Sequence, residues 1–355
     1  MSEPLAQPTP THTACAPRRR TFALLPALAL LLGAVALIAL GSGRYPLSAM
    51  DVLRFFASAA GAPSLDPARH DLLYNLLVEI RLPRVLAAIL VGAALAVSGA
   101  AFQGVFRNPL VSPNLLGVLS GAAFGAAAGM LCGGSWLLVQ ASAFACGLAA
   151  VAIALMIARA FGQASLIMLI LGGIVSGALF AALLSLVKYL ADPYDELPAI
   201  IIWLMGSLAS VHIGDALWVS IPMTLAITAL CASGRWLDAL AMGDDEARSL
   251  GVPVDAVRYM VIGCATLLGA LTVSLAGMIG WVGLIVPHAA RLLCGPGHAL
   301  LLPASALLGA SFLLAADLLA RSLAGSEIPI GIVTELLGIP VFLLVLHRAR
   351  NGWGR

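Results

Sequence analysis

Side chains able to do chemistry are sparse in this chain, and their spacing narrows what each could do. Arg81 and Arg84 flank a Leu-Pro pair, and Asp317 stands four residues before Arg321, a separation at which two side chains meet on one helical face. Asp244, Asp245 and Glu246 follow Gly243, and Ala247, Arg248, Ser249, Leu250 and Gly251 complete the block. His288 lies in a Val-Pro-His turn ahead of Arg291, and Glu335 is an isolated acid. A loop that cradles nucleotide phosphates needs a glycine-rich turn ending in Gly-Lys-Ser/Thr. The one lysine, Lys188, sits in Leu-Val-Lys-Tyr with no such turn, so no nucleotide is expected to be hydrolysed by this polypeptide. The cysteines (Cys15, Cys132, Cys146, Cys231, Cys264 and Cys294) are far apart, with neither a CxxC pair nor a histidine at ligand spacing. They read as small core residues, and His288 as a hydrogen-bonding group in its turn rather than a haem or metal ligand.

The elements that must carry these groups follow from composition. Of 355 residues 61% are hydrophobic and 10% charged, whereas a soluble domain has about 45–50% and about 25%; mean hydropathy is +1.03. So few charges cannot cover a water-facing shell, and the apolar exterior must face a bilayer. A net charge of +2, with arginines mostly dispersed singly, excludes nucleic acid as a partner class. The hydropathy pattern predicts an all-α polytopic protein with about ten transmembrane helices, near 21–41, 83–105, 114–131, 136–158, 166–190, 212–232, 255–275, 278–294, 300–321 and 330–347.

Arg18, Arg19 and Arg20 precede an apolar run long enough to span, so it reads as a retained first helix with its N-terminus inside rather than a cleaved signal. An even number of spans then puts both termini in the cytoplasm, and twelve of the nineteen basic residues fall on predicted inner segments. Residues 1–20 form a cytoplasmic tail, its first 17 disordered, 21–348 a single membrane domain and 349–355 a second tail. Segment 42–82, with a mild helical period over Leu47–Phe56, is expected along the outer interface, and 191–211 to hold a short helix that does not span. Pro83 suits a first helical turn, which places Arg81 and Arg84 at the outer mouth of the second span, facing solvent, with Arg321 nearby. The block 243–251 reads as a short helix, acidic at its start and stopped by Gly251 and Pro253. Gly117, Gly121 and Gly125 recur at the spacing of close helix packing. An ion-coupled secondary transporter is the rival class, but Asp317 and Glu335 make a thin ion pathway.

Three blocks carry a resemblance: Arg81-Leu82-Pro83-Arg84 running into GAALAVSGAAFQGVFRNPLVSPNLLG, the Gly243–Gly251 block, and GMIGWVGLIVPH with Arg291, LLPASALLGA, Asp317 and EIPIG. Over residues 45–348 they resemble the FecCD family of permeases of type II ATP-binding-cassette importers, which includes vitamin B12, haem and ferric-siderophore permeases. The resemblance implies a homodimer in the bacterial inner membrane with two ATPase subunits and a periplasmic solute-binding protein. ATP and magnesium belong to the ATPase, and this chain needs no cofactor or metal. It implies that Arg81, Arg84 and Arg321 receive binding-protein glutamates, and that Asp244–Gly251, within a coupling loop of about 238–254, meets the ATPase. Ser165 and Leu166 would belong to a cytoplasmic gate. Spans two to five and seven to ten would form an inverted repeat. An iron chelate, siderophore or haem, is the implied cargo, with cobalamin or an oxyanion such as molybdate as alternatives.

Overall fold

With water excluded, a backbone must pair its N–H and C=O groups within each segment, so long apolar runs become helices. The computed structural model describes residues 18–43, 45, 47–59, 66–160, 166–323 and 326–352, and among them all regular structure is helical. The first 17 residues, Phe161–Ser165 with the gate candidate Ser165, and residues 353–355 lie outside the described residues.

Helix α1 (Arg18–Gly41) is followed by α2 (Ala49–Ala59) and α3 (Pro67–Tyr74). A π-helical stretch, Asn75–Arg81, then leads without interruption into α4 (Leu82–Val105). Next come a 3-10 turn (Pro113–Leu116), α5 (Val118–Leu131), α6 (Trp136–Ala160), α7 (Leu166–Leu190), the short α8 (Glu196–Leu204) and α9 (Ile213–Ala232). The chain continues through α10 (Gly234–Met242), α11 (Asp244–Ser249), α12 (Val254–Ala276), α13 (Val282–Cys294), α14 (His298–Ser322) and α15 (Ile330–Gly352). Among the described residues seven segments are long and apolar enough to cross a bilayer, while Val118–Leu131, Val282–Cys294 and Ile330–Leu344 are shorter apolar helices. The ten expected spans correspond to these elements, but two of them, α5 and α13, are shorter than the spans expected from hydropathy, because the chain breaks at Gly117 and over residues 277–281.

Two differences have physical causes. The second span does not start at Pro83: the helix is already running from Pro67, and the wider turns of the π stretch accommodate a residue that cannot donate an N–H. The segment that precedes this run packs on it, with Leu47, Val52 and Phe55 against Leu73 and Leu77. Helix α10 is a further element between the sixth span and the acidic block, burying Leu237 and Leu240.

Burial sorts the layers. Helix α4 and its lead-in are 83% buried over their most apolar window and α12 72%, against 11% for α1, so α4 and α12 form the centre and α1 the rim. Small residues make this closeness possible: a Cβ on Gly99 would collide with the Gly283 carbonyl of α13, and one on Gly92 with that of Gly309 in α14. The Gly121 and Gly125 positions on α5 abut the α6 backbone at Cys146 and Ser142 in the same way.

Helix α14 fixes the two ends of the molecule. It starts where His298 meets Asp238 of α10, and ends at Arg321, beside the C-terminus of α1. Its 25 residues span about 37 Å. The ends are called here the acidic-helix face, which carries α11, and the arginine face. Helix α4 runs from the arginine face to the acidic-helix face and α12 the opposite way. Each is followed by a break and a helix too short to span, α5 after α4 and α13 after α12.

Candidate functional site

At the arginine face the structure brings the three predicted arginines together, but not in solvent. Arg81, Arg84 and Arg321 are 4%, 8% and 9% exposed. The end of α1 explains why. Its last carbonyls have no helical partner and carry the negative end of the helix dipole, so buried cations settle on them. Arg81 donates to the carbonyls of Leu40, Gly41 and Tyr45, and Arg321 to those of Ala39 at 3.2 Å and Ser42 at 3.3 Å. Arg84 instead donates through Nε to Asp317 Oδ1 at 2.8 Å and through Nη1 to Glu327 Oε2 at 2.9 Å. Asp317 Oδ2 lies 3.2 Å from Arg321 Nε, yet off the hydrogen-bonding direction, so that contact is an ion pair only. The i,i+4 pairing expected of Asp317 and Arg321 is present, enlarged by Arg84. Glu327, whose side chain is 37% exposed, is the one member reaching water. It was legible only as an acid opening the EIPIG stretch.

At the acidic-helix face, α11 is braced rather than loose. Asp244 accepts from Arg258 Nη2 at 2.7 Å and lies 3.4 Å from Arg107 Nη2, tying it to the start of α12 and the end of α4. Burial works to raise the Asp244 carboxyl, but the Arg258 hydrogen bond and the charges of Arg258, Arg107 and Arg248 outweigh it and hold it below the usual carboxylate range. Ala247 is fully buried beneath the helix, whereas Asp245, Glu246, Arg248, Ser249 and Leu250 are exposed. Gly243 enters at φ +141° and Gly251 leaves at φ +79°, conformations that suit glycine, so the element is a tight protrusion with fixed ends. Trp236, Met242 and Leu250 add exposed apolar surface beside the acids. The braces from Arg107 and Arg258 had no signal in the local sequence, Arg258 being 14 residues from Asp244 and Arg107 137. A pocket of about 450 Å³ opens next to this face, and its charged groups are paired internally: His298 Nδ1 with Asp238 Oδ1 at 2.8 Å, and Arg291 with the Gln103 side-chain oxygen.

Between the faces lies a cavity of about 270 Å³ where the connection after α4 meets the connection after α12. Ser112, Asn114, Gly280, Trp281 and Glu335 contribute to its wall, and Trp281 sits at φ +68°. His288 Nε2 is 3.1 Å from the Pro109 carbonyl, the hydrogen-bonding role expected of it. Among the described residues no group of three or more His, Cys, Asp or Glu side chains is placed to hold a metal. Leu166, the described half of the gate pair, is the first residue of α7 and is half-buried.

Three comparisons bear on this arrangement. The model of the FecCD transport family matches residues 30–348. The molybdate import system permease protein of Haemophilus influenzae is 40% identical over 92% of this chain and 95% of its own length. The vitamin B12 import system permease protein of Escherichia coli is 41% identical over 77% of this chain and 84% of its own. A solved inward-facing structure, assigned as a metal-chelate type ABC transporter, superposes with a TM-score of 0.82 at 39% identity, covering 92% of this chain and 99% of that one.

Proposed function

The chain belongs to the FecCD transport family and is a permease subunit of an ATP-binding-cassette importer, a multi-pass protein of the bacterial inner membrane; on that premise we propose that it carries an iron chelate, a siderophore complex or haem, from periplasm to cytoplasm by alternating access. The near-complete overlap with a transporter assigned to metal chelates carries the choice of cargo. A Helicobacter pylori relative assigned to iron chelatin transport, 40% identical over 78% of this chain, points the same way. A second reading, import of an oxyanion such as molybdate, is favoured by the Haemophilus relative matched over 95% of its length.

In this reading the permease works as a homodimer, both termini in the cytoplasm, two ATPase subunits under α11 and a solute-binding protein on the arginine face. ATP and magnesium are bound by the ATPase, and the permease uses no cofactor. The exposed rim of α11, Asp245 to Leu250, is the contact with the ATPase. Motion imposed there reaches α12 through Arg258 and α4 through Arg107, the two most buried helices, so a small helix moves the centre of the molecule. Docking at the other face proceeds by exchange. Among the described residues three guanidiniums share two carboxylates there, Asp317 and Glu327, and a binding-protein carboxylate replaces the half-exposed Glu327 on Arg84. Leu166, at the entrance to α7, belongs to the inner gate with Ser165.

The test of the ATPase contact is co-purification of the ATPase with the permease carrying Asp245→Lys and Glu246→Lys, which leave the Asp244 brace intact. Loss of at least tenfold in affinity, with helix content unchanged, supports the reading; undiminished assembly rules out α11 as the coupling element.

A further inference from the structure

We propose that Glu335 is a cargo contact at membrane depth in the translocation path, where it favours cargo presenting a cationic or hydrogen-bond-donating group over small oxyanions; this rests on the permease reading above and narrows its substrate class.

Two helices stop short of crossing the bilayer. Helices α5 and α13, of 14 and 13 residues, rise about 21 and 20 Å, less than the roughly 30 Å of a bilayer's apolar core. Backbone outside α-helix therefore lies at membrane depth on both sides of the 270 Å³ cavity, from Leu110 into the 3-10 turn at Asn114 and from Ile279 to Trp281. Such backbone is tolerated only where protein buries it or where it borders water. Among the described residues no arginine, lysine or histidine lines this cavity, and the one ionisable side chain is that of Glu335.

Glu335 has no ion-pair partner among the described residues. It is exposed on the protomer, within one turn of the exposed apolar side chains of Ile332, Leu336 and Ile339. A carboxylate does not face acyl chains; ionisable groups in membrane helices turn to protein or to water and mark pathways. This side of α15 therefore borders an aqueous path. The neighbouring wall fits: the 3-10 turn at Pro113–Leu116 connects the cavity to α7, with Gly173 seated on Leu115 and Gly177 on Gly117. Helix α15 thus reaches the cavity through Glu335, and α7 packs behind the 3-10 turn that forms part of its wall. A negative group there attracts ammonium or other donor groups of a metal chelate and repels a small anion. The plain alternative, a carboxylate that only serves the nearby start of α13, requires no water beyond the cavity and no charge selectivity.

The experiment uses Ile339→Cys, one turn from Glu335, in the full chain with exposed Cys132 replaced by Ala, assembled with its ATPase in phospholipid vesicles. The probes are two membrane-impermeant methanethiosulfonates of similar size, one trimethylammonium and one sulfonate, with rates normalised to a free thiol and to the Cys132→Ala parent. The cationic reagent is expected to react at least tenfold faster, and adding Glu335→Gln to bring the normalised ratio within about twofold of unity. A ratio unaffected by Glu335→Gln, or no reaction with either reagent, overturns the proposal. Rates that do not respond to ATP count against the permease reading, while the charge ratio still decides the role of Glu335.

Discussion

Replacing Asp317 removes the hub of the arginine face, and the structure sets the size of the effect. Its carboxylate is fully buried and meets Arg84 Nε at 2.8 Å and Arg321 Nε at 3.2 Å. Deleting one partner of a buried ion pair is destabilising by about 3–5 kcal/mol, because the remaining charge is uncompensated. Two features hold the loss to the low end: Arg84 keeps Glu327 at 2.9 Å, and Arg321 keeps the carbonyls of Ala39 and Ser42. Asp317→Ala is therefore expected to lower stability by about 3 kcal/mol, and Asp317→Asn by about 2 kcal/mol, since its amide oxygen still accepts from Arg84. At roughly 2–4 °C per kcal/mol the alanine variant loses about 6–12 °C in Tm. The assay is thermal unfolding in detergent micelles followed by circular dichroism. Adding Arg84→Met should restore part of the loss, because a buried guanidinium left with Glu327 alone is removed with its partner. A fall of less than about 2 °C for Asp317→Ala, or strict additivity in the double variant, would refute the buried-hub account.

Other outcomes follow from single contacts. Gly99→Ala forces a methyl into the Gly283 carbonyl and should be destabilising by about 1–3 kcal/mol in the same melt. By contrast Gly263→Ala, with open space at its Cβ on α12, should gain about 0.5–1 kcal/mol. Asp244 has a lowered carboxyl pKa when folded, so its brace stabilises above the unfolded value of about 3.9 and is lost only as pH falls through the lower folded value. Opening of the α11 amides, corrected for intrinsic exchange, should therefore stay level between about pH 5 and 8 and rise only in acid; a step within that range contradicts the pairing with Arg258. Glu327→Gln frees Arg84 for an incoming carboxylate and should tighten binding-protein association several-fold in biolayer interferometry, whereas Arg84→Gln should weaken it. Equal effects of the two variants would exclude the exchange at Arg84.

Helices whose signal is local were readable in the sequence, and contacts made over distance were not. Leu166–Leu190 is a long apolar run stopped by Ala-Asp-Pro, and the predicted and observed ends at Leu190 coincide. Helix α10 escaped because nine residues holding Arg235, Trp236 and Asp238 resemble a polar loop in a window as long as a membrane span. The π stretch ending at Arg81 escaped because a proline two residues on gives the local pattern of a helix start, and nothing nearby reports the wider turn. The arginines were correctly grouped at one face. Their burial was invisible because the groups that bury them are remote in sequence: Leu40 is 41 residues from Arg81, and Asp317 is 233 residues from Arg84. The acidic block was legible as a helix from its own capping and stop residues, yet its rigidity depends on Arg107 and Arg258 from other elements. Glu335 stood out only as an isolated acid, and its meaning came from the two interrupted helices that meet beside it.

The most direct test of the central claim is uptake into vesicles holding this chain with its ATPase and binding protein, using radioiron-labelled hydroxamate chelate and labelled haem as probes. At least one of them is expected to accumulate only when all three proteins and ATP are present, and Asp245→Lys with Glu246→Lys in the permease to abolish accumulation. Accumulation by this chain alone under an ion gradient, or transport undiminished by those two substitutions, would contradict the claim.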